Sequence, residues 1–191
     1  MEDGRRSARR KRERRLVIRK SLLQDPRAIG LAAVVAALAL DQGHKFWMLE
    51  IYDIALRQPI RLTPFLDVVL SWNLGISYSL FAAQSDVGRL AIVALQSSIV
   101  AFLLLWLWRT PRRPTAAALG LVVGGALGNV CDRLLHGAVA DFFYFHTALP
   151  VGPLANYVFN LADAAIFVGV ALLVLESFAA GSDAPRTPAA G

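Results

Sequence analysis

Apolar residues fall into four long runs, at about 29–47, 87–108, 115–135 and 157–178, and the segments between them are polar or broken by proline and charge. Each run approaches or exceeds the roughly 20 residues that a helix needs to cross a bilayer core, so the pattern predicts four transmembrane helices. Residues 48–86 read differently, because Glu50, Asp53, Arg57, Pro59, Arg61, Pro64 and Asp67 interrupt them. Alternation around Leu62–Leu70 and the β-prone stretch 71–81 predict short strands there, and hence a small sheet between the first two helices. Ser85 and Asp86 offer an N-cap for the second helix. Pro150, Gly152 and Pro153 end a second polar loop, 136–156, before the last helix. The expected fold is a mainly α membrane protein: one domain over 29–178, an arm at 1–28 and a polar tail at 179–191.

Composition supports this class. Of 191 residues, 56% are hydrophobic and only 18% are charged, too apolar a balance for an ordinary soluble domain. A net charge of +6 raises the question of nucleic acid. Ten of the twenty Lys and Arg residues lie in residues 1–20, however, which makes the charge a tail and not a binding surface. Such a tail, with Arg109, Arg112 and Arg113 in the short loop between the second and third helices, holds its segments on the cytoplasmic side. Both termini are then cytoplasmic and the loops 48–86 and 136–156 extracytoplasmic. The first run is expected to stay as an anchor, since it lacks a small-residue cleavage site. The lone Cys131 leaves no internal disulfide and no metal spacing. No metal or cofactor is expected.

This topology brings the polar side chains carried by the helices and outer loops toward one outer layer. Asp41, Lys45, Asn129, Asp132 and Arg133 lie near the outer ends of their helices, with Asn73 and Asp141 in the outer loops. Asp163, six residues past Tyr157, is expected about 9 Å into the hydrocarbon. Asp41 and Lys45 are four apart and can pair, Arg133 can pair with Asp132, its expected partner, or with another carboxylate, and His44 reads as an interfacial residue. Intramembrane Asn and Asp serve elsewhere as hydrogen-bonding glue between helices. So many at one depth point instead to a functional site. The many small residues of the third run, among them Gly120, Gly124, Gly125 and Gly128, read as packing positions.

Five blocks in order carry a resemblance: DQGHK at 41–45, NLGISYS at 73–79, GGALGNVCDR at 124–133, GAVADFF at 137–143 and FNLADAAIFVG at 159–169. Together they resemble the signal peptidase II family, bacterial membrane aspartyl peptidases that remove signal peptides from prolipoproteins. The resemblance implies that Asp141 and Asp163 are the catalytic pair. With Asp141 read on an outer loop, substrate binding is expected to bring it to Asp163, with the outer sheet as a cover. It assigns Asp41, Lys45, Asn73, Gly75, Asn129, Asp132, Arg133 and Asn160 to shaping and holding the site. The implied substrate is a prolipoprotein whose Cys carries diacylglyceryl, cut just before that Cys. The implied location is the bacterial inner membrane with the site facing outward, and the enzyme is expected to be a monomer in contact with membrane lipids and no nucleic acid. Two departures stand out: His44 replaces a small hydroxyl residue, and Ile76-Ser77-Tyr78 replaces an Ala-Ala-aromatic run. A proton-coupled transporter and a non-enzymatic scaffold are the alternatives, the first disfavoured by the absence of an internal repeat.

Overall fold

The computed structural model describes residues 24–75, 86–147, 149 and 155–182. Four long helices account for the apolar runs: α1 (Pro26–Phe46), then, after a short turn α2 (Ile54–Arg57), α3 (Asp86–Arg109), α4 (Arg113–Leu135) and α5 (Leu161–Ser182). Three of them, α3, α4 and α5, are long and apolar enough to cross a membrane. The remaining long helix, α1, has 21 residues but carries Asp41, Gln42, His44 and Lys45 toward its end. Asp25 caps α1, its Oδ1 accepting from Arg27 N at 3.0 Å, and Pro26 suits the first helical position. The arm at 1–23, the Ser85 cap, the Ile76-Ser77-Tyr78 departure, the Pro150–Pro153 terminator and the tail from 183 lie outside the described residues.

Small residues place α4 at the centre. Its apolar window is 61% buried, against 17% for α3 and 11% for α5. Gly120 and Gly124 back onto the Gly30 and Val34 carbonyls of α1, while Gly125 faces the Ala162 carbonyl of α5. The absence of Cβ atoms on both faces lets two helix backbones approach α4 closely, so the packing role expected of these glycines holds. Val34, Val100, Leu107, Leu119 and Val123 fill the space between α1, α3 and α4.

The sheet differs from the expected one. It has four antiparallel strands in the order β1 (Ile60–Thr63), β2 (Leu66–Asn73), β3 (Val139–His146) and β4 (Asn156–Phe159). Half of it therefore comes from the second loop and not from the segment between the first two helices. The sequence VADFFYFH is rich in aromatic and branched residues that suit a pleated surface, and its main-chain polar groups find partners on both neighbours. Asp141 accordingly sits on a strand opposite Ser71, not on a loop. The last helix also starts later than expected, because Asn156–Phe159 pairs with β3 before α5 begins at Leu161. Asp163 is thus in the first turn of α5, closer to the helix end than the sequence suggests.

Alternation along β3 divides its side chains between two faces. Ala140 and Phe142 join Met48, Ile54 and Val68 in a compact core beneath the sheet. Val139 and Asp141 point the other way, into a cleft between the sheet and the helices. Met48 comes from a π-helical turn, Trp47–Ile51, that continues α1 toward the sheet. Chain order and helix packing bring the end of α1, the end of α4, the start of α5 and the sheet to one end of the bundle.

Candidate active site

The cleft, of about 570 Å³, is lined by Asn73, Asn129, Arg133, Asp141 and Asp163 at its polar end, and by Ile166, Phe167 and Val170 along α5. The residues FNLAD form its corner through a capping box. Asn160 Oδ1 accepts from Asp163 N at 2.9 Å, and Asp163 Oδ2 accepts in return from Asn160 N at 3.2 Å. The N-x-x-D spacing ahead of an apolar run was the available signal, hidden by reading the helix from Tyr157.

The fully buried Asn160 also reaches across the cleft. Its Nδ2 donates to Asp141 Oδ1 at 2.6 Å and to Asn129 Oδ1 at 3.1 Å. Asn129 Nδ2 then donates to Asp163 Oδ1 at 2.9 Å, and Asn73 Nδ2 to Asp141 Oδ2 at 3.3 Å. Each aspartate thus accepts from donors on both its oxygens, and three asparagines fix both. Asp141 is only 2% exposed. Burial pushes its carboxyl up to about 7, with the Asp163 charge adding to the rise, against the amides of Asn73 and Asn160 and the Lys45 ammonium. A carboxyl poised there can give or take a proton at neutral pH.

Behind this pair lies a second polar cluster. Lys45 Nζ pairs with Asp41 Oδ2 at 2.7 Å and Asp132 Oδ2 at 2.8 Å. The expected Asp41–Lys45 pair is present, whereas Arg133 does not form the expected pair with Asp132. Adjacent helix residues do not face one another, so Asp132 turns to α1 while Arg133 turns to the cleft. Arg133 donates instead to Gly75 O at 2.6 Å, to Asn129 O at 3.3 Å and to Gln96 Oε1 at 3.2 Å. Gly75 N in turn donates to Asn73 Oδ1 at 3.0 Å. Gln96 and Gln42 were not singled out from sequence; Gln42 Nε2 lies 2.8 Å from Asp132 Oδ1. The His44 ring packs on Phe142 and Phe143, so this departure bears on the strand next to Asp141.

An apolar helical bundle with two carboxylates converging on one asparagine in a cleft defines a membrane enzyme of the aspartic-peptidase type. Comparison with known proteins gives the family. Residues 33–179 match the family described as signal peptidase (SPase) II. The chain is 52% identical over 163 residues to the lipoprotein signal peptidase of Beijerinckia indica subsp. indica, covering 84% of this chain and 95% of that protein. It is 51% identical over 152 residues to that of Methylocella silvestris, covering 80% and 86%. Its fold resembles a bacterial membrane enzyme solved by the in meso method at 2.3 Å, with TM-score 0.69 and 21% identity over 84% of this chain and 94% of that one. The chain belongs to the signal peptidase II family and is an aspartic peptidase. The transporter and scaffold readings fall away with that membership.

Proposed function

We propose that Asp141 and Asp163 are the catalytic pair and that the substrate is a prolipoprotein whose Cys carries diacylglyceryl, cut just before that Cys. The observation that carries this reading is the convergence of both carboxylates on Asn160 at the polar end of a cleft whose other wall is apolar. An extended substrate segment fits the polar end, and acyl chains can stay against Ile166, Phe167 and Val170 or in lipid. Asp163, held at the start of a helix by the Asn160 main-chain N–H and the Asn129 side-chain amide, takes a proton from the attacking water. Asp141, whose carboxyl burial pushes up to about 7, donates to the developing oxyanion or the leaving nitrogen. Because the two share one proton, their titration belongs to the pair.

The same reading makes α1 a fourth span, with both termini cytoplasmic and the sheet and cleft on the extracytoplasmic side of the bacterial inner membrane. The Arg109–Arg113 loop supports this orientation. The enzyme works as a monomer among membrane lipids. The test is a purified preparation in lipid nanodiscs with a lipidated precursor. Asp141→Asn and Asp163→Asn should each abolish release of the signal peptide while the thermal transition is retained. Asp132→Asn should keep part of the activity. Substantial turnover by either dyad variant would overturn the assignment.

A further inference from the structure

Lys45 is 4% exposed, and a buried ammonium persists only where its charge is met. It is met twice, by Asp41 and Asp132. What those carboxylates do with their remaining capacity is specific. Asp41 Oδ1 accepts from Ala162 N at 2.9 Å, and Asp132 Oδ2 accepts from Ala140 N at 3.1 Å. Ala162 immediately precedes Asp163, and Ala140 immediately precedes Asp141. Each member of the dyad is therefore held through the main chain one residue before it. Lys45 is the group that joins the two holders, with Gln42 Nε2 also in reach of both carboxylates, at 3.1 Å from Asp41 Oδ2 and 2.8 Å from Asp132 Oδ1. Neither Lys45, Asp41 nor Asp132 lines the cleft.

We propose that Lys45 is a positioning residue that sets the separation of Asp141 and Asp163, by tying the two carboxylates that grip their backbones. The inference rests on the dyad reading above. It assigns Lys45 a role in turnover and none in contact with substrate. Without the ammonium, Asp41 and Asp132 face each other as buried like charges, and the strand and helix cap they hold are free to shift apart. Loss of its charge also removes one of the influences that lower the Asp141 pKa.

The experiment compares native enzyme, Lys45→Met and Lys45→Met/Asp132→Asn in nanodiscs, measuring kcat, KM and the pH profile with a lipidated precursor. Lys45→Met should lower kcat at least 100-fold with KM within threefold, and move the limb that reports Asp141 to higher pH. In the double variant the asparagine Oδ1 still accepts from Ala140 N and the repulsion is gone, so kcat should recover at least tenfold over Lys45→Met. A merely space-filling lysine predicts no recovery and no movement of the limb, and either result overturns the proposal. So does a kcat within threefold of native in Lys45→Met. If Lys45→Met does not accumulate folded, the double variant decides alone: kcat within tenfold of native supports the clamp, and an inactive folded protein overturns it. Asp141→Asn and Asp163→Asn run alongside keep the two ideas apart. Activity in those variants sinks the dyad, whereas inactive dyad variants beside a fully active Lys45→Met sink only the clamp.

Discussion

Asn160 Nδ2 donates to Asp141 Oδ1 across 2.6 Å, joining the cap of one helix to the middle of a strand. The same side chain closes the capping box with Asp163. One amide thus serves helix initiation and the alignment of both carboxylates, so stability and activity are coupled at this position.

Replacing it separates the two contributions. Asn160→Ala removes a cap whose loss costs about 0.5–2 kcal/mol, and it leaves Asp141 without its shorter donor. Asn160→Ser keeps a capping oxygen but cannot reach Asp141 and Asn129 together. The serine variant should melt within a few degrees of native and the alanine variant lower. Turnover should fall at least 100-fold in both, as read by thermal unfolding and precursor cleavage. Native-like activity in Asn160→Ala would remove the bridge from the mechanism.

The pH dependence follows from Asp141. Its folded pKa, about 7, lies above the ordinary carboxylate value of 3.8. Between those values the folded state holds a proton that the unfolded state has released, so stability falls as pH rises from about 4 to about 7. The contribution is fully present below pH 4 and is gone above the folded pKa. Asp141→Asn removes the part of this dependence that Asp141 carries. At pH 8 it should therefore be inactive yet melt higher than the native protein, while at pH 4 the gap narrows. In the native enzyme the rate should fall as pH rises past about 7, because the donor is then ionised. A melting curve for Asp141→Asn that lies below native at pH 8 would count against burial as the source of the shift.

What could be read in the chain was local. The Asp41–Lys45 pair is four residues apart on one helix, the four apolar runs are continuous, and the glycines of α4 recur at helical spacing. What could not be read depended on distant partners. Nothing near Asp141 says that it will lie opposite Ser71 on a neighbouring strand, or that Asn156–Phe159 will pair with β3 before α5 begins. Asp132 shows the same limit. Its sequence neighbour Arg133 was the obvious cation, but helix geometry turns them apart, and a lysine 87 residues earlier takes the place.

Two glycines give opposite expectations for one substitution. In a helix interior, Gly→Ala ordinarily stabilises by about 1 kcal/mol. Gly43, on α1, has open space where a Cβ would stand, so Gly43→Ala should gain about that amount. At Gly124 the added Cβ would meet the Val34 carbonyl and the Ala37 methyl group of α1. Both belong to a packed helix and cannot rotate away, so α1 must shift. Overpacking of this kind costs about 1–3 kcal/mol, which outweighs the propensity gain. Because α1 carries Asp41 and Lys45, the shift reaches the grip on Ala162 and Ala140 and so the dyad. Gly124→Ala should lower both the melting temperature and turnover, whereas Gly43→Ala should raise the first and leave the second within twofold. Equal melting temperatures for the two variants would show that the α1–α4 contact is looser than its backbone approach implies.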